Sequence, residues 1–277
     1  MPVLRTAVSA LGFDETRDDL GILAAFPTIV GAWVRARAGA VPLDPDPARG
    51  HAADLLRMIS GAAPSPARVR ALDTYLNATI DHGLNASTFA ARVVISTQSD
   101  MTAAVTGAIG ALQGPLHGGA PGPVLDLINE VAMHSDRRGF LRAKVEGGER
   151  LMGFGHRIYR VRDPRADVLA QACQTLQTCG EAAPLFDLAK DVERVALCVL
   201  EEHKPERALK TNVEFYTALL LQAVGIPKDA FTAIFATSRA AGWIAHAREQ
   251  LATRKLIRPQ SNYVGPKPGP GDLAKSA

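Results

Sequence analysis

At 277 residues the chain is long enough for one large domain or two smaller ones. Apolar residues make up 47% and charged residues 21%, enough for a sizeable core and too apolar for an intrinsically disordered chain. A net charge of +3 is too mild for a dedicated nucleic-acid binder.

The start, "MPVLRTAVSALG", lacks the basic start followed by a long apolar run that marks a signal peptide. Val41 to Gly50, "VPLDPDPARG", reads as a proline-rich connector. Ala52, Leu55, Leu56 and Ile59 then recur at i, i+3, i+4, i+7 and predict a helix. Ser65 followed by Pro66 is a helix start, and Val69, Leu72, Leu76 and Ile80 line the helix that follows. Met101 to Leu125 carries no charge, yet Gln113, His117, prolines and glycines interrupt it, so it is not expected to cross a membrane. Within it, "GPLHGGAPGP" (Gly114 to Pro123) cannot be helical throughout. Leu185, Leu188, Val192, Val195, Ala196 and Val199 form a third apolar stripe, and Phe231, Ile234, Phe235 and Ser238 begin a fourth that runs to about Leu251. The tail, about residues 266–277, is expected to be disordered. No alternating strand pattern stands out, so the predicted fold class is all-α.

The residue types narrow the chemistry. Cys173, Cys179 and Cys198 are an odd count without CxxC spacing, which predicts free thiols in a reducing compartment and a cytoplasmic location. No histidine pair has metal-ligand spacing, there is no GxSxG elbow, and "GFG" alone is not a dinucleotide fingerprint. Of seven histidines, His117 and His156 lie in glycine-rich breaks and His82 lies at the end of a helix. Loops are where functional groups concentrate. From Arg137 to Arg165 there are nine Lys or Arg against three Asp or Glu, which reads either as a solvated basic face or as a site for a small polyanion.

Several stretches together resemble the citrate synthase family: "VLRTAVSALG", "DHGLNASTFAARV", "GALQGPLHGGAP", "LMGFGHRIYRVRDPRA", "TNVEFYTALLLQAVGIP", "SRAAGWIAHAREQ" and "IRPQSNYVG". They run in the family's order from Val3 to Gly265. The resemblance implies an enzyme that condenses acetyl-CoA with oxaloacetate and then hydrolyses the citryl thioester. It implies acetyl-CoA as co-substrate, no permanently bound cofactor, no metal, and a homodimer without nucleic-acid or membrane partners. It implies a large domain from residues 1–118 and 226–277, with a small domain of residues 119–225 inserted.

By the same resemblance His117 stabilises the enolate, His156 donates to the ketone of oxaloacetate, and Glu214 is the base. His82, Arg165, Arg239 and Arg258 bind oxaloacetate, with Arg258 supplied by a partner subunit. Arg160, Gly153 and Gly155 face CoA. Arginine suits carboxylate ligands because its planar fork binds them bidentately.

Three features depart from the pattern. Glu214, in "NVEF", stands where the family usually has aspartate, and the extra methylene moves the carboxylate by about an ångström. "VLRTAVSALG" usually lies well inside a longer chain, so the expectation is an upstream start or a shortened paralogue with a weakened dimer. Gly83 stands where many relatives have glutamate. Two alternatives stay open: a 2-methylcitrate synthase using propionyl-CoA, and a catalytically weak relative acting as a binding or regulatory protein.

Overall fold

Short polar side chains punctuate the chain and start most of its helices. A computed structural model describes residues 1–14, 16–119, 121–155, 163–207 and 209–265. Among them run α1 (Pro2–Ala10), α2 (Asp19–Arg37), α3 (His51–Ser60), α4 (Pro66–Thr79), α5 (Ala86–Ser96), α6 (Met101–Leu112), α7 (Pro121–Ala132), α8 (Arg137–Glu146), α9 (Pro164–Thr178), α10 (Ala183–His203), α11 (Val213–Ala223) and α12 (Phe231–Thr253). Ser65 accepts from Arg68 N–H at 3.2 Å and opens α4, as its place before Pro66 predicts. Asn85, Asp100, Asp163 and Asn212 cap α5, α6, α9 and α11 in the same way. Each such cap satisfies backbone donors that have no intrahelical partner.

No strand forms among the described residues; the one ladder contact is an isolated antiparallel bridge between Phe154 and Thr211. The fold is all-α. The helices predicted from the four apolar stripes are α3, α4, α10 and α12. One detail differs: spacing put Ile80 on the apolar face of α4, but the helix ends at Thr79 and Ile80 is exposed. Its carbonyl there lies against Gly242 of α12.

Packing divides the helices into two groups. α1 to α6 gather around α12, while α7 to α11 pack on one another, with α4 touching α9 and α11 across the junction. α12 is the axis of the first group, with Phe231, Ile234, Ala240, Trp243 and Ala247 buried. α2 is long and apolar enough to cross a membrane by composition, and it buries Ile22, Phe26, Val30 and Val34 in this core. The chain between the two groups passes twice through glycine-containing turns, at residues 113–119 and at Gly225. Cys173 is buried, Cys179 and Cys198 are exposed, and all three are free thiols.

Candidate active site

Gly242 decides how closely α12 can approach the end of α4. A Cβ there would stand 2.3 Å from the carbonyl oxygen of Ile80 and 3.2 Å from Asp81 Oδ1. With only hydrogen in that space, α12 seats against the turn that carries His82. The turn is held further by His246 Nε2, 3.2 Å from Asp81 Oδ1, and by the Gly83 amide, which donates to Asp81 Oδ2 at 3.0 Å. Gly83 itself has φ +57°, a backbone region glycine enters without strain. Gly242→Ala is therefore expected to push the His82 turn off α12. It should cost about 1–3 kcal/mol by overpacking, visible as a lower melting temperature.

One turn before Gly242, Arg239 is almost fully buried. Its Nε donates to the carbonyl oxygen of Thr79 at 2.8 Å, and its guanidinium carbon lies 4.8 Å from the centroid of the Phe235 ring. The neighbouring Ser238 hydroxyl bonds Leu76 O at 2.6 Å and Thr79 Oγ1 at 2.8 Å, so α12 and α4 are joined just beneath the guanidinium. Burial, and then the charge of Arg165, lower the Arg239 pKa to about 10, so it stays cationic at neutral pH.

His117 sits in the turn after α6. Gly118, next to it, has its Cα against α6, where a Cβ would meet Leu112 O at 2.5 Å. That close approach explains one glycine of "GPLHGG". His117 Nε2 lies 2.8 Å from Ser87 Oγ, and the ring meets Phe235 edge-on at 6.3 Å. Ser87 is fully buried: Trp243 Nε1–H donates to its Oγ at 3.0 Å, and its hydroxyl lies within donating distance of Asn85 Oδ1, at 2.7 Å. Asn85 Oδ1 already accepts the amides of Ser87 and Thr88, both at 3.1 Å. Which of Ser87 Oγ and His117 Nε2 donates follows the tautomer: with the ring proton on Nε2 the imidazole donates to Ser87, and with it on Nδ1 the Ser87 hydroxyl turns to Nε2 and leaves Asn85 Oδ1 to the two amides. Burial and the charge of Arg239 lower the His117 pKa, so the imidazole is neutral. A neutral ring with a directed N–H is a donor that does not itself give up a proton. Ser87→Ala is expected to leave the fold intact and lower the condensation rate by about tenfold through loss of the tautomer's partner, measured by thiol release.

Glu214 stands at the second residue of α11, where its amide donates to Asn212 Oδ1 at 3.0 Å. Burial raises its carboxyl pKa from 4.5 to about 7; Arg165 and Arg239 pull it back down, and Asp163 pushes it up. Arg165 opens α9 and is gripped by Asp163, Nε to Oδ1 at 3.1 Å and Nη2 to Oδ2 at 2.8 Å. His117, Arg239, Arg165 and Glu214 thus share one electrostatic neighbourhood at the junction of the two helix groups. It holds a neutral donor, two cations and a carboxyl poised near neutrality.

The family model for the citrate synthase C-terminal domain matches residues 1–260. The chain belongs to the citrate synthase family. It is 47% identical over 205 residues to the putative citrate synthase 2 of Mycobacterium tuberculosis H37Rv, covering 74% of this chain and 54% of that protein. The chain therefore spans about half the length of that relative. It is 38% identical to the 2-methylcitrate synthase of Mycobacterium tuberculosis Erdman, over 96% of this chain and 68% of that one. Its fold matches the citrate synthase of Thermoplasma acidophilum, solved as a ternary complex with carboxymethyl coenzyme A and oxaloacetate. That match has a TM-score of 0.84 and 29% identity, and covers 96% of this chain and 73% of the other.

Against this citrate synthase frame the other candidate residues fall into four sets. His82 is half-buried on the turn held by α12 and Asp81. His156 and Arg160 lie outside the described residues. Arg258 is exposed, and the amide before it, Ile257 N–H, donates to Ser96 at the far end of α5. Nine residues of α5 separate Ser96 from Ser87, about 14 Å along the helix, so Arg258 is not brought into the cleft of its own chain.

Gly153 and Gly155 have φ of +92° and +83°, and a Cβ would meet Phe215 at 2.9 Å and Leu209 at 2.8 Å, respectively. Both positions thus need glycine for packing alone.

The basic run looks different in three dimensions. Arg137 pairs with Asp191, Arg138 and Arg142 with Glu202, and Lys144 with Glu130 and Glu149. Acids from α7 and α10 balance much of the excess seen along the chain. Sequence reading missed Ser87, Asn85 and Trp243 as supports of His117. The signal was there in "NASTF", an Asn-capped helix start close before the glycine-rich histidine loop.

Proposed function

We propose that this chain carries the citrate synthase reaction, joining acetyl-CoA to oxaloacetate and hydrolysing the resulting thioester. The observation that carries the reading is the Glu214 carboxyl, held near neutrality between Arg165 and Arg239 in the same neighbourhood as the neutral His117. A base of this kind can take a proton from the methyl group beside a thioester carbonyl, because its pKa matches the working pH. As the proton leaves, His117, in the tautomer protonated on Nδ1, would hold the developing enolate oxygen. Buried donors in a water-poor site are the main resource for such a step. Arg239 and Arg165 take the carboxylates of oxaloacetate. Asp163 already occupies the Nε–Nη2 edge of Arg165, so a substrate carboxylate would meet its Nη1–Nη2 edge. The enolate carbon attacks the ketone, which His156 polarises by the family resemblance, and water then releases the CoA thiol.

On this reading the substrates lie between the α12 group and the α7–α11 group, and closure of residues 119–225 over them would exclude water and bring Glu214 to the methyl group. A second copy of the chain would supply Arg258 to this cleft, since its own copy anchors it on the far end of α5. The identity to a 2-methylcitrate synthase supports propionyl-CoA as a second acyl donor. One methylene in an apolar pocket is worth only about 1–3 kcal/mol, so both donors are expected to turn over at different rates. The test is thiol release by the purified chain with oxaloacetate, comparing acetyl-CoA and propionyl-CoA. Release that requires oxaloacetate supports the reading, and the ratio of kcat/KM ranks the donors. Oxaloacetate binding without release by either donor would overturn it in favour of a binding role.

A further inference from the structure

Glu193, in the middle of α10, is a buried carboxylate outside the site described above. Its Oε1 accepts from Thr211 Oγ1 at 2.6 Å and its Oε2 accepts from Tyr216 OH at 2.5 Å. Thr211 and Tyr216 are buried as well. A buried carboxylate is tolerated only when its oxygens are served, and two hydroxyl donors on separate oxygens do that. What the two donors belong to gives the arrangement its meaning. Tyr216 is in the first turn of α11, two residues after Glu214. Thr211 is the middle of a three-residue segment that anchors the chain on both sides of residues 156–162. On the entry side, Gly155 N–H donates to Lys210 O at 2.7 Å, Asn212 N–H to Gly153 O at 3.0 Å, and Asn212 Nδ2 to Gly155 O at 2.9 Å. On the exit side, Asp163 N–H reaches Thr211 O at 3.4 Å, and Asp163 in turn grips Arg165.

We infer that Glu193 is a positioning residue for the reaction: by holding Thr211 and Tyr216 together it fixes both feet of the His156 segment relative to the α11 turn that presents Glu214. This rests on the citrate synthase reading for its catalytic consequence, though the anchoring is a property of the fold itself. Removing the carboxylate loosens the α11 turn that presents the base relative to Gly155 and Asp163, and a misplacement of about 1 Å at a reacting centre costs on the order of 100-fold.

The experiment compares wild type, Glu193→Gln, Tyr216→Phe and a control, Val199→Ala, which truncates a fully buried side chain on the same helix. Melting temperature, kcat, KM for oxaloacetate and the acid limb of the pH–rate profile are measured at a temperature where all are folded. Amide exchange is followed at Gly155, Asp163 and Asn212. In Glu193→Gln, exchange at these amides is expected to rise about tenfold or more, with kcat down about tenfold or more and the acid limb displaced. Tyr216→Phe should give a smaller effect in the same direction. Val199→Ala should lose melting temperature while keeping kcat and these protections.

If Glu193→Gln loses activity only in proportion to its melting temperature, as Val199→Ala does, the role is structural and the inference fails. If Glu193→Gln does not fold, unchanged exchange and pH profile in Tyr216→Phe overturn it instead. Absence of thiol release in the wild type would sink the citrate synthase reading. The exchange data would still decide whether Glu193 anchors the segment.

Discussion

Glu214→Gln is expected to lower condensation by about 10²–10⁴-fold, the usual contribution of a positioned base, while oxaloacetate still binds. Exchange of the acetyl methyl protons with solvent deuterium should vanish with it. A Gln variant that still exchanges those protons would refute the assignment. In the wild type kcat/KM should climb with pH to a plateau, with a midpoint near the Glu214 pKa of about 7, because only the ionised carboxylate accepts the proton.

The same carboxyl makes a prediction about stability whose sign is opposite. Its folded pKa lies above the unfolded value of 4.5, so the folded state holds the proton more tightly. The stability this provides is fully present below pH 4.5 and is lost as pH rises to about 7. The loss is on the order of 3 kcal/mol between the two limits. Glu214→Gln removes the titration, so at pH 8 the variant should melt at a higher temperature than the wild type, and the difference should shrink toward pH 5. With Glu214 as the proposed base, catalysis and stability would oppose each other at this one side chain.

Arg239→Met is expected to raise KM for oxaloacetate by about 30-fold or more, since removing one partner of a buried charge pair costs about 2–5 kcal/mol. Protein stability should fall by about 1–3 kcal/mol, because methionine fills much of the volume but leaves the Thr79 carbonyl without the Arg239 Nε–H donor. The pH profile adds a second readout. Arg239 pulls the Glu214 pKa down and the His117 pKa down. Without it both move up, so the acid limb of kcat/KM should shift to higher pH. An unchanged KM would remove Arg239 from the substrate clamp. An unchanged limb would separate it from Glu214.

How much of this was readable beforehand depends on the kind of signal. The apolar stripes of α3, α4, α10 and α12 follow the helical period and were legible, because periodicity survives without knowledge of neighbours. The motifs "GPLHGG", "DPRA", "NVEF" and "SRAAG" marked residues that the fold gathers into one neighbourhood. Ser87 was not legible: a serine after an asparagine is common at helix starts, and only Trp243 and His117 arriving from distant parts of the chain give it a role. The basic run was legible only in part. Its neutralising acids, Asp191, Glu202 and Glu130, are remote in sequence and become neighbours only when α7, α8 and α10 pack. Ile80 failed because periodicity does not say where a helix stops. That boundary was set by the contact with Gly242.

Arg239, Gly242, Trp243 and His246 follow one another along α12 at i, i+3, i+4 and i+7, so all four share one face of one rigid rod. Each serves a different neighbour: Thr79, the Ile80 carbonyl, Ser87 and Asp81. They are therefore mechanically ganged. A single residue inserted anywhere between Phe231 and Arg239 would swing the whole face through about 100° and disconnect all four at once. Substitutions can tune these positions one at a time, but the reading frame of the helix itself is inherited as a single unit.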